Sequence, residues 1–340
     1  MIAKIGNIEI GEKRPVTVQT MYDRPITDVE EVISQIVALK ALGCDIMRFA
    51  YFKENERTVL KQICERSSMP LVADIHFDYK LAMDAFDIGF DKVRINPGNI
   101  GAKWKSLDVF KKARDMGKCV RIGLNSGSLP KNLENKEQAD LMVSTALEYL
   151  DWAHSVNFNN NVVSLKSTDC EITYEAAKSF AAKSDVPQHL GVTEAGGVIS
   201  SCIRGTWVLS RLLDAGIGAT LRYSINGPIE DEVIAGVELL RTLGLRKKGV
   251  RIVACPRCGR YSFDCQKMLS AVEKDLLKED KNVSVAFMGC QVNGPGEAKT
   301  ADLAITGLGT KVYLYKKGKL FKEVEEKNAV NEFWKAFKEL

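Results

Sequence analysis

The stretch LVADIHFDYKLAMDAFDIGFDKVRIN, residues 71–96, decides the fold class. It contains two short strand-like runs, at 71–75 and 92–96, and between them a segment at 78–89 with the apolar period of a helix. A strand, a helix and a second strand in this order predict a parallel pair of strands joined by a helical crossover.

The same unit recurs on both sides of this stretch. The predicted strands are 16–20, 46–50, 71–75, 92–96, 119–125, 161–166, 188–194 and 219–225. The predicted helices are 28–42, 54–66, 78–89, 107–117, 136–157, 173–184, 198–215 and 230–243. Eight such units in about 245 residues favour an α/β fold, a (β/α)8 barrel of the TIM type. No Gly-x-Gly-x-x-Gly follows the first strand, which disfavours a dinucleotide-binding sheet.

The pattern changes at 246–249, a short basic stretch with a glycine that indicates a linker. We therefore predict two domains. Residues 1–245 form the barrel, and residues 250–340 form a small α+β domain that holds four of the nine cysteines.

Composition excludes several classes of protein. The chain has 340 residues, of which 45% are hydrophobic and 27% charged, as in an ordinary globular protein. Its net charge of +4 is too small for a protein that wraps nucleic acid. No run reaches the roughly 18 apolar residues of a membrane span, and the N-terminus lacks a signal-peptide core. We therefore expect a cytoplasmic protein with no membrane or nucleic-acid partner, in which cysteines serve metal binding, catalysis or packing.

Cations cluster at the carboxyl ends of the predicted strands, where barrel enzymes hold their active sites. Five of the eight ends carry one, namely Arg48, Arg94, Arg121, Lys166 and Arg222. Desolvated like charges in one mouth repel each other unless an anion compensates them, and arginine forks onto phosphate oxygens. These residues therefore predict a site for a multiply charged phosphate ester, most simply a diphosphate. The alternative is that each arginine pairs with a carboxylate at the same end, such as Asp74 or Glu194.

Other polar residues share these strand ends. Asn96, Asn125 and Ser224 lie at the carboxyl ends of three of the predicted strands and are predicted to bind the substrate together with the cations. Asp74 and His76 lie two residues apart on an extended segment, so their side chains share a face. This pair suits acid–base chemistry or the orientation of a substrate hydroxyl. Alternatively, Asp74 caps the following helix and His76 only hydrogen-bonds to it.

The nine cysteines divide into two groups. Five lie singly beside or within apolar segments and are predicted to be buried fillers: Cys44, Cys64, Cys119, Cys170 and Cys202. In the second domain, Cys255 and Cys258 have C-x-x-C spacing directly after a strand, with Gly259 to allow a tight turn. Cys290 follows the next strand, so two strand ends present three sulfurs to one metal centre.

The fourth ligand of this centre has two candidates. Cys265 would complete an all-cysteine zinc site or an ordinary iron–sulfur cluster, but it falls inside a predicted helix. Glu297 ends an Asn-Gly-Pro-Gly turn and would give a cluster one exchangeable ligand, which leaves one iron available to a substrate oxygen.

Specific motifs run in order through almost the whole chain. They are VQTM at 18–21, LVADIHFDY at 71–79, VRINPGNIG at 93–101, RIGLNSGS at 121–128, SLK at 164–166, HLGVTEAG at 189–196, CPRCGR at 255–260 and GCQVNGPGEA at 289–298. Together they resemble the 4-hydroxy-3-methylbut-2-enyl diphosphate synthases, the iron–sulfur enzymes of the non-mevalonate isoprenoid pathway. The length is similar to that of the compact, two-domain bacterial form of this family.

The resemblance implies an oxidoreductase. Its reaction would be the reductive ring opening and dehydration of 2-C-methyl-D-erythritol 2,4-cyclodiphosphate to 4-hydroxy-3-methylbut-2-enyl diphosphate, with two electrons. The family positions imply a [4Fe-4S] cluster held by Cys255, Cys258, Cys290 and Glu297, the last of which also acts in catalysis. The cations and polar residues at the strand ends would hold the diphosphate: Arg48, Arg94, Asn96, Arg121, Asn125, Lys166, Arg222 and Ser224.

The resemblance also places Asp74, His76 and Glu194 near the reacting carbons. That Glu194 delivers a proton is our own inference and is not implied by the resemblance.

The resemblance also implies the partners. Flavodoxin or ferredoxin would deliver the electrons one at a time. The working form would be a homodimer in which the cluster domain of one subunit closes over the barrel of the other. Two segments depart from the family pattern: Tyr22-Asp-Arg-Pro-Ile26 replaces a Thr/Asn-rich stretch, and Ala219 stands where an acidic residue commonly precedes the threonine.

Two other functions fit parts of the sequence. A barrel aldolase or pterin-type transferase with an appended zinc ribbon predicts a colourless protein with stoichiometric zinc. A zinc-binding nucleic-acid module would use the lysines at 316–319, but the same tail carries Glu323, Glu325 and Glu326 and lacks an aromatic-stacking pattern.

Overall fold

The computed structural model describes residues 1–130, 133–290, 296 and 299–340. The chain divides into two compact units, Met1–Arg246 and Lys247–Leu340. In the part of the chain that is described, no helix is both long enough and apolar enough to span a membrane.

The first unit begins with an antiparallel hairpin and continues with an eight-stranded parallel sheet. The hairpin is β1 (Ile2–Ile5) and β2 (Ile8–Gly11). The sheet consists of β3 (Thr17–Met21), β4 (Ile46–Ala50), β5 (Leu71–Ile75), β6 (Lys92–Ile95), β7 (Cys119–Asn125), β8 (Asn161–Lys166), β9 (His189–Leu190) and β10 (Thr220–Leu221). Its hydrogen-bonded order is β8-β7-β6-β5-β4-β3-β10-β9, and a parallel bridge between Val163 and Gln188 joins the two edges. The predicted (β/α)8 barrel is therefore confirmed.

Helices connect the strands and cover the outside of the sheet. They are α1 (Val29–Ala41), α2 (Arg57–Arg66), α3 (Tyr79–Ile88), α4 (Pro97–Ile100), α5 (Lys103–Asp115), α6 (Asn135–Ser155), α7 (Cys170–Ala181), α8 (Val198–Asp214) and α9 (Ile229–Thr242). Aspartates set several of the starts, because a side chain that accepts a backbone N–H satisfies a donor that the helix leaves open. Asp28, Asp78 and Asp169 do so for α1, α3 and α7. Because all eight strands pair in parallel, their carboxyl ends lie at one side of the barrel.

The amino-terminal hairpin closes the other side of the barrel. Ala3, Ile5 and Ile10 of the hairpin pack in one apolar cluster with residues at the amino ends of the barrel strands, namely Ile46, Val72, Cys119, Val162 and Ala219. The side chains of Ala3, Ile5 and Ile10 are at most 1% exposed. The amino end of the barrel is therefore an apolar plug, and the polar chemistry is left to the carboxyl end.

Two strands are shorter than the sequence predicts. The predicted strands at 188–194 and 219–225 are reduced to the pairs His189–Leu190 and Thr220–Leu221. Beyond these pairs the two segments lie so close together that a side chain at position 191 would clash. A Cβ at Gly191 would lie 2.6 Å from the Arg222 carbonyl oxygen and 2.8 Å from Lys166 Nζ. The close approach brings Lys166 and Arg222 to the same end of the barrel.

Among its described residues, the second unit contains a five-stranded mixed sheet and the two helices α10 and α11. Its elements are β11 (Val250–Ala254), α10 (Cys265–Leu276), β12 (Val283–Phe287), β13 (Leu303–Leu308), β14 (Lys311–Lys316), β15 (Lys319–Glu325) and α11 (Ala329–Lys338). The strands β11, β12 and β13 are parallel, whereas β14 and β15 add antiparallel. Phe263, Phe287, Phe333 and Phe337 form the centre of its core, each at most 4% exposed.

Candidate active site

A cavity of about 110 Å³ lies at the carboxyl end of the barrel strands. We call it the mouth cavity, and its lining is Arg48, Asp74, His76, Arg94, Arg121, Asn125, Ser164, Lys166, Thr193, Arg222 and Ser224. A second cavity shares Asn125, Thr193, Arg222 and Ser224 with it and adds Glu194. The structure thus brings together the five predicted cations and four further predicted residues, Asp74, His76, Asn125 and Ser224.

Asp74 is the central anion of the mouth cavity. Its carboxylate accepts a hydrogen bond from Arg94 Nη1 at 3.1 Å, and Arg48 Nη2 lies 3.8 Å away. His76 Nε2 lies 3.3 Å from the same carboxylate. Burial alone would favour the protonated acid, but the charges of Arg48 and Arg94 and the contact with His76 outweigh burial and hold the pKa of Asp74 well below its usual range. Asp74 is therefore a fixed negative charge at neutral pH.

Arg222 has its own carboxylate, on a helix outside the barrel. Its Nε and Nη2 atoms donate to the two oxygens of Glu232, both at 2.8 Å. Glu232 is 3% exposed and belongs to α9. The sequence interpretation missed this residue, although it lies on the buried face of α9 with Ile229, Val233 and Gly236. A carboxylate at helical spacing within an apolar face is the signal that would have identified it.

Two of the cations lack such a counter-charge. Among the described residues, no carboxylate forms an ion pair with Arg121 or Lys166, and Arg121 Nε and Nη1 have no hydrogen-bond partner. Both side chains are at least 95% buried. Burial, reinforced by the neighbouring cations, holds the pKa values of Arg121 and Lys166 well below their usual ranges. The predicted alternative, in which every cation pairs with a carboxylate, therefore does not describe this cavity.

Three predicted residues lie at its edge or outside it. His76 is 45% exposed, so one side of its ring is open to solvent. Glu194 is exposed, lines the second cavity and has a left-handed backbone with φ of 52°. Asn96 does not line the mouth cavity: its side chain accepts the backbone N–H of Gly98 at 3.1 Å and so caps α4. Thr193 and Ser164, which were not singled out as ligands, line the cavity instead.

In the second unit, the cysteine segments follow adjacent strands. Cys255 comes directly after β11, and its backbone N–H donates to Phe287 at the end of β12. The loop after Cys258 then packs on the segment before Cys290, because the N–H groups of Ser262 and Phe263 both donate to the Gly289 carbonyl. A Cβ at Gly289 would lie 2.9 Å from the ring of Tyr261, so only glycine allows this approach.

The turn between the first two cysteines differs from the expectation in one respect. Its left-handed residue is Arg257, with φ of 70°, and not Gly259. The Arg257 guanidinium lies over the Tyr261 ring and donates to Asp264, which stabilises this backbone. Cys265 is 1% exposed at the start of α10 and belongs to the apolar core of the unit. The predicted ligand Glu297 lies outside the described residues.

Family comparisons agree with both units. The family model of the GcpE TIM-barrel domain matches residues 2–237, and that of the GcpE protein C-terminal domain matches residues 251–339. The chain belongs to the GcpE family. This membership confirms the predicted family, fold class, enzyme class and reductive function in isoprenoid biosynthesis.

Curated relatives within the GcpE family share about two-fifths of their residues with this chain. A protein of Caldanaerobacter subterraneus subsp. tengcongensis is 42% identical over 99% of this chain and 96% of its own length. One from Treponema denticola is 40% identical over 97% of this chain and 92% of its own length. Both are named 4-hydroxy-3-methylbut-2-en-1-yl diphosphate synthase (flavodoxin).

Solved structures resemble the GcpE barrel in fold. Dihydropteroate synthase from Thermus thermophilus has a TM-score of 0.52 at 13% identity, over 72% of this chain and 98% of its own. The enzyme from Xanthomonas albilineans has a TM-score of 0.52 at 12% identity, over 72% and 97%. At such identities the likeness shows a shared barrel and no shared chemistry.

GcpE enzymes are iron–sulfur proteins. Three cysteines at adjacent strand ends are the donor type that such groups require, so the residues present fit an iron–sulfur group by their chemistry. Within the described ranges, no three His, Cys, Asp or Glu side chains are already arranged around a metal position.

Proposed function

We propose that the mouth cavity binds the diphosphate group of 2-C-methyl-D-erythritol 2,4-cyclodiphosphate. The observation that carries the proposal is that, within the part of the chain that the structure describes, no carboxylate pairs with the buried side chains of Arg121 and Lys166. Leaving buried cations without an anion costs several kcal/mol, by roughly the effective desolvation penalty of an ion. A diphosphate supplies the missing negative charge and accepts the open N–H groups, each charged hydrogen bond contributing about 1.5–3 kcal/mol.

The proposed roles of the other cations follow from their partners. Asp74 holds Arg94 and Arg48 in place, so these two guanidinium groups are oriented before the ligand arrives. Preorganised donors lose little entropy on binding, and binding energy at the remote diphosphate positions the reacting carbon. Asn125 and Ser224 add neutral donors at the border of the two cavities.

Protons for the reductive loss of water are proposed to come from the exposed edge of the cavity. Asp74 is held ionised and is therefore a poor acid; its role is to orient His76 through the 3.3 Å contact. Glu194 is proposed as the proton donor, because its carboxyl group is exposed and lines the second cavity together with Thr193 and Ser224. Exchanging Glu194 for glutamine removes this proton while keeping the size of the side chain.

We propose a [4Fe-4S] cluster held by Cys255, Cys258, Cys290 and Glu297. Such a cluster would carry one electron at a time, so reduction of the substrate would take two successive electrons from flavodoxin. Anaerobic purification tests this: a brown protein with about four irons and four sulfides per chain is expected. A colourless protein without iron would overturn the proposed cluster.

The diphosphate site has a direct test that needs no turnover. Isothermal titration calorimetry of the purified protein with inorganic pyrophosphate is expected to show binding. The affinity is expected to fall steeply as the ionic strength rises, because charged groups dominate the site. Orthophosphate, with less charge, is the control and binds more weakly. Failure of the protein to bind pyrophosphate at low ionic strength overturns the proposed site.

We further propose that the protein works in the cytoplasm as a homodimer whose active sites combine residues of two chains. Arg121→Met and Cys258→Ala are each expected to be inactive, one in the barrel and one in the cysteine loop. After mixing and exchange of subunits, a site shared between chains restores about a quarter of the wild-type rate, because half of the dimers carry one intact site. A mixture that stays inactive places both halves of the site in one chain.

A further inference from the structure

Glu232 is buried on α9, outside the barrel wall, and all of its acceptor capacity is used. Its Oε2 accepts hydrogen bonds from Arg222 Nε at 2.8 Å and from the Thr20 hydroxyl at 2.7 Å. Its Oε1 accepts from Arg222 Nη2 at 2.8 Å and from the backbone N–H of Ile225 at 3.2 Å. A carboxylate with four donors in fixed directions holds each of them in one geometry.

These four bonds join three parts of the mouth. Thr20 belongs to β3, Arg222 directly follows β10, and Ile225 follows Ser224 in the loop that leads to α9. The strands β9 and β10 have only two ladder residues each, so the ladder itself gives this side of the barrel little support. Glu232 therefore supplies the restraint that the short strands do not.

The fork of Arg222 onto Glu232 fixes which atom faces the cavity. Two of its three guanidinium nitrogens are bound to the carboxylate, and the third, Nη1, has the weak acceptor Met21 Sδ at 3.8 Å. Arg222 and Ser224 both line the mouth cavity. One buried side chain thus sets the position of a cation and of the neighbouring serine at the same time.

We infer that Glu232 is a positioning residue of the diphosphate site, acting through Arg222 and through the loop that carries Ser224. The inference rests on the proposed diphosphate binding. Glu232 lines the second cavity but not the mouth cavity, so we expect it to act on the ligand through its neighbours and not by direct contact. It keeps Arg222 Nη1 and Ser224 directed at the phosphate oxygens, so removing its carboxylate weakens binding by loosening the site. The same removal also takes away a negative charge near the bound anion, which by itself would strengthen binding.

These two effects have opposite signs, and the test separates them. Glu232→Gln keeps the size of the side chain, but it places an NH2 donor opposite the N–H groups that donate hydrogen bonds to Glu232. If positioning dominates, pyrophosphate affinity falls at least about 10-fold, as for the loss of one or two charged hydrogen bonds. If Glu232 only neutralises Arg222, affinity rises. The matched control is Glu238→Gln, on the same helix, where the carboxylate pairs with Arg241 on a half-exposed face; its affinity stays that of the wild type.

A double-mutant cycle shows whether Glu232 acts through Arg222. In an Arg222→Gln background, Glu232→Gln is expected to lower pyrophosphate affinity by clearly less than it does in the wild type, and the remaining loss is due to the loop that carries Ser224. Full additivity of the two effects overturns the inference, because a general loss of structure adds in any background. Thr20→Val, which removes one of the four bonds, is the second variant if Glu232→Gln folds poorly, and a smaller loss in the same direction is expected.

The outcomes are distinct from those of the proposed function. If the unaltered protein fails to bind pyrophosphate, the diphosphate site itself is overturned and this inference with it. If the wild type and Glu232→Gln bind equally well, or the variant binds more tightly, the diphosphate site stands and the role given to Glu232 is wrong.

Discussion

Gly123 makes room for the guanidinium of Arg94. A Cβ at position 123 would lie 2.6 Å from Arg94 Nε, and the Gly123 carbonyl accepts a hydrogen bond from Arg94 Nη2 at 3.0 Å. The cation that binds Asp74 is thus placed by the absence of a side chain on the neighbouring strand.

Gly123→Ala is therefore expected to displace Arg94 from Asp74. Overpacking in a filled interior costs about 1–3 kcal/mol, and the moved cation lowers pyrophosphate affinity as well. Thermal unfolding and titration measure the two effects. Gly127→Ala is the control, since a Cβ there meets nothing within 4 Å; a Gly123→Ala protein that behaves like this control would contradict the packing argument.

Arg121→Met separates stability from binding. Because Arg121 is buried with open N–H groups, an apolar side chain of similar length is expected to raise the free energy of unfolding by about 1–3 kcal/mol. The same change lowers pyrophosphate affinity at least about 10-fold. Chemical unfolding and titration test both, with the exposed Arg66→Met as a control that changes neither. A destabilised Arg121→Met protein would show that Arg121 is compensated in the free enzyme.

Lys92→Met tests a charge buried below the mouth cavity. Lys92 is fully buried, and within the described part of the chain its amine donates a hydrogen bond to Gln19 Oε1 at 3.4 Å. Burial, together with Arg121 and Arg48, lowers the pKa of Lys92 to about 7. Between about pH 7 and 10 the unfolded chain holds a proton that the folded chain has lost, so this group makes stability rise with pH by about 1.4 kcal/mol per unit.

Unfolding free energies at pH 7.5 and 8.5 measure this effect. The rise is expected to be about 1.4 kcal/mol smaller in Lys92→Met than in the wild type, while the exposed Lys80→Met follows the wild type. The thiols of Cys44, Cys64 and Cys119, whose pKa values burial raises to about 12, lower stability from about pH 8 upward, but they do so in both proteins and cancel in the comparison. Parallel pH profiles for Lys92→Met and the wild type would show that Lys92 stays charged in the fold.

Glu194→Gly tests the strained backbone beside the cavity. A left-handed residue other than glycine costs about 1 kcal/mol, so glycine is expected to stabilise the fold slightly while turnover falls at least about 10-fold. Glu194→Gln keeps the strain and loses only the acid, so its stability is unchanged and its turnover falls equally. Asn157→Gly, also left-handed with φ of 58°, is the control with full activity. Full turnover in Glu194→Gln would exclude Glu194 as the proton donor.

Cys265→Ala and Cys258→Ala separate packing from metal binding. Cys265 lies in the apolar core of the second unit, so its replacement is expected to cost about 1 kcal/mol of stability and to leave the iron content unchanged. Cys258→Ala is expected to lose iron, because its exposed thiol lies in the C-x-x-C turn. Iron and sulfide analysis after anaerobic purification checks both. Loss of iron from Cys265→Ala would make Cys265 the fourth ligand.

The barrel could be predicted from the sequence because its strands are buried on both faces. Strands at 46–50, 71–75, 119–125 and 161–166 have the predicted bounds, since continuous apolar runs between helices have few alternatives. The hairpin β1–β2 and the edge strand β15 were not predicted. The hairpin is short, and β15 is largely exposed, so neither shows a strong apolar pattern.

The candidate site could be predicted where its side chains lie at the carboxyl ends of strands. The five cations meet because parallel strands end at one side. Glu232 was missed because its contact with Arg222 depends on how α9 packs against the barrel, which strand order alone does not specify. Asn96, which is predicted as a ligand because it ends the predicted strand 92–96, also caps helix α4, a helix that the sequence did not predict.

The apolar hairpin at the amino end has a kinetic consequence for Lys92. With Ala3, Ile5 and Ile10 packed against the amino ends of the barrel strands, we expect the Lys92 amine to exchange its proton with solvent through the mouth. A ligand bound at Arg121 is then expected to slow this exchange.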